Sequence, residues 1–123
     1  MQYVFEIPGT LPTLNEYMNR ERANRYAAAS MKKQAQKRIC ECMENPPRFK
    51  GYVEVEFSWY RPDMRSDKDN VAFAKKFILD ALQEAGVIRK DSWKLCTPYD
   101  VGFMVNRKNP RTVVCVTGEA EGD

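Results

Sequence analysis

Three carboxylates and a lysine mark out one stretch of this chain, from Arg65 to Lys94 (RSDKDNVAFAKKFILDALQEAGVIRKDSWK). Asp67 and Asp69 stand two residues apart just before Asn70, Lys76 follows, and Asp91 closes the stretch beyond Gly86. Side chains alternate along an extended backbone, so Asp67 and Asp69 leave it on the same side. Magnesium takes oxygen ligands and keeps water and substrate phosphate in its shell. Two carboxylates at a strand–helix junction, with a third brought in by a turn, therefore suit metal-assisted phosphodiester hydrolysis, in which bound metal activates water and offsets charge on the phosphate. Lys76 would stabilise the transition state or the leaving oxygen.

The same residues also have a purely structural reading. Asp69 or Asn70 can serve as the N-cap of the helix that follows, and an acid there gains about 0.3–1 kcal/mol from the helix dipole. Asp91 can cap the turn before Trp93 in the same way. A calcium-binding EF-hand does not fit, because Val71 occupies the next ligand position and no glycine follows.

The elements that must position these groups follow from hydrophobic period. Gln2–Ile7 alternates, with Tyr3, Phe5 and Ile7 on one side, and predicts a strand ended by Pro8-Gly9. A loop through Leu14–Tyr17 leads to a helix from about Asn24 to Met43, whose apolar stripe is Ala28, Met31, Ala35, Ile39 and Cys42. Pro46-Pro47 stops it. Tyr52–Tyr60 predicts a second strand, with Val53, Val55, Phe57 and Trp59 facing the core. The central helix is expected over about Asn70–Ala85, with Gly86 at its C′ position. On a 100° wheel Asp69, Phe73, Lys76 and Asp80 share one stripe, which makes Lys76–Asp80 an i, i+4 pair. Strands at Tyr99–Asn106, with Val101, Phe103 and Val105 on one face, and at Arg111–Thr117 complete the chain. The expected fold class is α+β: a small mixed sheet of about four strands, in the order β-α-β-α-β-β, packed with two long helices in one domain over residues 1–123.

Composition narrows the chemistry. The 123 residues, 43% apolar and 30% charged, are enough for one soluble domain with a core of its own. No apolar run approaches the ~20 residues of a membrane span. The opening MQYVFEIPGT lacks the basic and apolar regions of a signal peptide, so a cytoplasmic protein without membrane contact is expected. There is no histidine, which removes the commonest general base and the usual Ser/His and Cys/His pairs. Cys40, Cys42, Cys96 and Cys115 lack zinc-site spacing and read as reduced thiols. Net charge is +3, yet seven basic residues and one acid fall between Arg20 and Arg38. Such a segment reads either as a solvated helix face or as a contact for a polyanion.

Taken jointly, Asp67-x-Asp69-Asn70, Lys76, Asp80-Ala81-Leu82, Ala85-Gly86-Val87 and Asp91 resemble the central pattern of the RusA-type Holliday junction resolvases. Leu11-Pro12-Thr13-Leu14-Asn15 is similar to that family's P-S-x-N segment after its first strand. The resemblance covers about thirty residues closely and the rest through element order. It implies a RusA-like fold and a homodimeric endonuclease that cuts four-way DNA junctions with Mg2+ (Mn2+ in its place) in recombination and repair; members are often encoded by bacteriophages and prophages. Carried onto this chain, it makes Asp67, Asp69 and Asp91 the metal ligands and Lys76 the catalytic lysine. Asn15 becomes a DNA-binding candidate, although a turn-forming asparagine explains it as well. Arg20, Arg22, Arg25, Lys32, Lys33 and Lys37 would hold phosphates without reading sequence. The chain departs from the family pattern at two places. Lys76 follows the second aspartate by seven residues where the pattern has four, and Lys90-Asp91 stands where a pair of aspartates is common. A non-catalytic DNA-binding protein of this fold, or a general metal nuclease, are the alternatives.

Overall fold

The computed structural model describes residues 1–122. Its elements run β1 (Gln2–Pro8), α1 (Leu14–Ala23), α2 (Arg25–Glu41), β2 (Phe49–Arg61), α3 (Lys68–Ala72), α4 (Lys75–Glu84), β3 (Cys96–Val105) and β4 (Arg111–Ala120). The four strands form one mixed sheet in the order β1-β4-β2-β3. β4 pairs antiparallel with both β1 and β2, whereas β2 and β3 run parallel. A parallel pair needs a crossover, and α3 and α4 supply it. The chain is thus α+β, as expected: a four-stranded mixed sheet with three helices of ten residues or more and the five-residue α3.

All helices cover one face of the sheet. Phe5, Ile7, Val53, Val55, Phe57, Trp59, Val114 and Val116 point into a single core with Ile39, Ile78, Leu82 and Val87. On the other face Val4 is exposed, while Glu54 and Glu56 are half-buried. This is the alternation of an antiparallel sheet with one wet side.

The helix expected over about Asn24–Met43 forms as α2 with a further helix, α1, ahead of it, whereas the helix expected over about Asn70–Ala85 is divided into α3 and α4. Leu14–Tyr17 is not a loop: Thr13 and Glu16 form a capping box, with Glu16 N–H donating to Thr13 Oγ1 at 3.3 Å and Thr13 N–H to Glu16 Oε1 at 3.4 Å. Asn24, extended at φ −170°, ends α1 and caps α2 through Oδ1, which accepts from Tyr26 N–H at 2.7 Å. The division between α3 and α4 falls at Phe73-Ala74. There Ala74 N–H bonds Val71 O at 3.2 Å and Lys76 N–H bonds Phe73 O at 3.1 Å, so the helix tightens into i→i+3 turns.

Other expectations held. Gly86 sits at φ +76° in a full Schellman stop, with Val87 N–H on Leu82 O (2.9 Å) and Gly86 N–H on Gln83 O (3.0 Å). The four cysteines are free thiols, Cys96 buried and the others half-buried. No helix among the described residues is long and apolar enough to cross a membrane. The expected inward face of β3 is a correction: its register against β2 shifts between Phe57 and Ser58, which leaves Val101 out of the ladder. Val101 and Val105 are exposed, and of the three only Phe103 turns inward, 6.4 Å from the Trp59 ring.

Candidate metal and nucleic-acid site

β2 delivers the chain through a short loop, Pro62–Ser66, to Asp67 at the start of α3. Asp67 is the N-cap by backbone geometry, yet its carboxylate makes no capping hydrogen bond. Asp69 accepts only from the adjacent Asn70 N–H, at 3.0 Å. Both carboxylates are exposed. The N-cap thus falls at Asp67 rather than at the expected Asp69 or Asn70, and among the described residues no backbone N–H donates to the Asp67 carboxylate. Asn70 is the structural member of the motif. Its Oδ1 accepts from Asn15 N–H at 2.9 Å and ties the first turn of α1 to α3. Asn15, whose side chain is exposed, is thereby held beside the two aspartates.

Asp67 also lines a cleft of about 460 Å³ between the end of β2, α3 and the end of β3. Arg61 and Lys68 bring cations to it, and Met64, Phe103 and Val105 give it apolar walls. The Lys68 ammonium lies 5.8 Å from the centre of the Phe103 ring. The sequence reading passed over Arg61, although it ends the second strand, and over Lys68, although it stands inside the Asp-Lys-Asp motif.

Asp91 is elsewhere. β2 and β3 are parallel, with Val53 beside Cys96 at one end and Arg61 beside Val105 at the other. Asp67 follows Arg61, while Asp91 precedes Cys96 in a turn closed by Cys96 N–H on Ser92 O at 2.9 Å. Eight residue steps separate the two ends, about 26 Å of strand. Electrostatics agree with this placement. Burial first, and the Asp91 carboxylate second, push the Cys96 thiol up to about 11. Among the described residues no three acidic, cysteine or histidine side chains gather as a metal-binding group. Within one chain, then, the expected ligand set of Asp67, Asp69 and Asp91 is not brought together.

The expected Lys76–Asp80 pair is not formed. Lys75, not Lys76, turns toward the sheet and meets Asp100 Oδ2 at 2.6 Å, while Trp59 Nε1–H donates to Asp100 Oδ1 at 2.9 Å. Lys76 is exposed, and among the described residues it makes no ion pair. Asp80 pairs with Lys32 at 3.3 Å rather than with Lys76. The wheel misled because each i→i+3 step turns about 120° rather than about 100°, so the break at Phe73-Ala74 rotates α4 relative to α3. The three residues by which this chain exceeds the family spacing lie between Asn70 and Lys76, where that break occurs.

Of the six basic residues expected to hold phosphates, Arg20 and Arg22 are exposed on α1, and Arg25, Lys33 and Lys37 are exposed on α2. Arg20 and Arg22 stand five and seven residues beyond Asn15, about 7–10 Å along the helix axis. Lys32 differs from the others, since Asp80 offsets its charge and docks α2 on α4.

No protein-family model matches this chain, and no curated protein matches it.

Proposed function

We propose that this chain is a RusA-like, magnesium-dependent endonuclease that resolves four-way DNA junctions as a homodimer. The observation that carries the reading is the state of Asp67 and Asp69. Two carboxylates two residues apart stand exposed at a strand–helix junction: Asp67 is the N-cap residue but makes no side-chain capping hydrogen bond, and Asp69 accepts from its neighbour Asn70 N–H. They lie beside Arg61 and Lys68 on one side and the N-terminus of a basic α1 on the other.

As hard oxygen donors that make no ion pair among the described residues, Asp67 and Asp69 fit Mg2+. Bound there, the metal would supply activated water and charge neutralisation at a phosphodiester. The protein's own contribution is positioning. Arg61 and Lys68 would hold the backbone on either side of the cut phosphate, and Arg20, Arg22 and Arg25 would hold the flanking arm. Lys76, which makes no ion pair among the described residues, is available to substrate, whereas Lys75 is tied to the fold.

Two carboxylates leave the set one short, and the parallel crossover keeps Asp91 of the same copy about 26 Å of strand away. A second copy can bring its own Asp91, and a two-fold dimer would then form two such sites, which suits a substrate cut at two symmetry-related strands.

The test is cleavage of a labelled four-way junction with Mg2+, with Mn2+ and with chelator, beside linear duplex and single strands. Asp69→Asn should lower the rate on the order of 10³-fold while junction binding and thermal unfolding stay unchanged. Parental cleavage by this variant would end the reading. Equal cleavage of linear duplex would make the protein a general nuclease.

A further inference from the structure

We propose that the cleft beside Asp67 takes one unstacked nucleobase from the branch of the DNA junction, held between the Phe103 ring and the Met64 side chain. The assignment rests on the junction reading of the preceding section and names the part of the substrate that the site grips. Arg61 ends β2, Met64 stands on the loop that follows, Lys68 opens α3 and Phe103 comes from β3. All four line one cleft of about 460 Å³.

Phe103 is the open end of a series of rings. Phe57 and Trp59 are two residues apart on β2 and so share its core face. The parallel pairing then sets Phe103 of β3 beside Trp59. Phe57 and Trp59 lie 5.6 Å apart with their planes at 14°, and Trp59 and Phe103 lie 6.4 Å apart at 19°. Both spacings are those of offset stacking. The first two rings are buried, whereas Phe103 is half-buried and meets the cleft, so the series stops at open space. The middle ring is fixed in advance. Trp59 Nε1–H donates to Asp100 Oδ1 at 2.9 Å, and Lys75 holds the same carboxylate at 2.6 Å. Opposite this platform Met64 is 85% exposed, an apolar side chain left in solvent at the cleft. Its unbranched thioether can fold onto a flat aromatic surface.

Charge narrows the occupant. Arg61 and Lys68 bring two positive charges to the cleft, and Asp63 and Asp67 bring two negative ones. A balanced cleft gives a bare anion no net attraction, and a bare cation none either. It suits a neutral ring whose edge carries both donors and acceptors, with the attached phosphate turned to Arg61 and Lys68. That description fits a nucleotide. The Lys68 ammonium now stands 5.8 Å from the centre of the Phe103 ring, so an entering base would displace it from the ring toward that phosphate. The volume lies within the range of small-ligand sites. A base inside a duplex is stacked and paired, and extruding it costs least where it has already lost a neighbour, as at a branch. The cleft therefore adds a structure selectivity that phosphate contacts alone do not give.

The experiment is binding of a labelled four-way junction by the full chain in chelator, where nothing is cut. The base is removed in turn at each nucleotide flanking the branch. For the parent, losing the base at one such position should weaken binding about tenfold, as for a base stacked on an aromatic side chain. Phe103→Leu keeps an apolar wall without the aromatic face. It should bind the intact junction about tenfold more weakly, and removing that base should then cost it little further, which is the coupling of a direct contact. Met64→Ser guards against a folding defect, since Met64 is 85% exposed, and should show the same coupling at smaller size. Linear duplex, whose bases stay stacked, should bind the parent and both variants alike. An equal cost of base removal in the parent and both variants overturns the assignment, as does no cost at any position in the parent. Equal weakening on duplex overturns it too, because phosphate contact then explains the loss. Coupling without magnesium-dependent cutting upholds the cleft and removes the enzymatic reading, and cutting without coupling does the reverse. A parent that binds no junction overturns both.

Discussion

The crossover between β2 and β3 has two unlike ends. At the first, Asp67 and Asp69 stand exposed beside Arg61, Lys68 and a cleft. At the second, Gly86 stops α4 and the chain turns through Asp91 and the exposed Trp93 into β3. In sequence these ends belong to one thirty-residue motif. In space the helical span from Lys68 to Glu84 holds them about 25 Å apart, the length of 17 residues at 1.5 Å each. A motif that is contiguous in sequence is thus divided between opposite ends of the parallel pair of strands.

The difference is broken most decisively by mixing. Asp69→Asn and Asp91→Asn should each abolish junction nicking when pure. Refolded together, they form heterodimers in which one site carries both substitutions and the other carries neither. If Asp91 acts on the other copy's Asp67 and Asp69, random assortment returns about a quarter of the parental sites. If all three act within one copy, every site has a defect and nicking stays absent.

The turn end is next. Gly86 lies at φ +76°, and an added Cβ would stand 2.8 Å from an Arg48 guanidinium nitrogen. Gly86→Ala should cost about 1–2 kcal/mol in urea unfolding.

At the acidic end the two lysines separate structure from function. Lys75→Met removes the 2.6 Å partner of Asp100, leaving only the Trp59 N–H on that carboxylate. A loss of about 1 kcal/mol is expected. Lys76→Met should leave the unfolding midpoint within about 0.5 kcal/mol of the parent and lower the cleavage rate. If Lys75→Met lowers cleavage while Lys76→Met does not, the lysine has been assigned to the wrong residue of the pair.

These contrasts show what was readable in the sequence. Alternation located β1 and the core face of β2, where Val53, Val55, Phe57 and Trp59 all point inward, because a half-buried strand imposes its period on every residue. Gly86 was legible because its left-handed φ admits few residues. The break at Phe73-Ala74 was not foreseen, because the apolar stripe continues beyond it and periodicity bridges what the backbone divides. The helix ahead of Asn24 was not foreseen either, its first residues having read as a loop. Thr13-x-x-Glu16 did carry a capping signal that marks its start. Lys32–Asp80 was out of reach, since it joins residues 48 positions apart through the packing of α2 on α4. The separation of Asp91 from Asp67 follows from β2 and β3 being parallel, and strand direction leaves no local mark in a sequence.

The smallest effect tests the placement of Asp91 directly. Burial is the larger cause of the raised Cys96 thiol, at about 11, and the Asp91 carboxylate is the second. A thiol whose folded value lies above its ordinary one, near 9, favours the protonated fold. Its contribution to stability is therefore complete below about pH 9 and is lost as pH rises through 11. Asp91→Asn deletes the negative charge and leaves the burial, so the Cys96 value should fall without returning to normal. Alkaline loss of stability should then still begin near pH 9 but be smaller, and be complete at lower pH, than in the parent. Following the thiolate of Cys96 by its absorbance near 240 nm, in a variant with the other three cysteines replaced by serine and in chelator, separates this from metal binding. Asp69→Asn offers the matched control, since a carboxylate at the far end of the crossover is too distant and too well screened to move that thiol. An equal shift from both variants would mean that the two ends are closer than the parallel pairing of β2 and β3 allows.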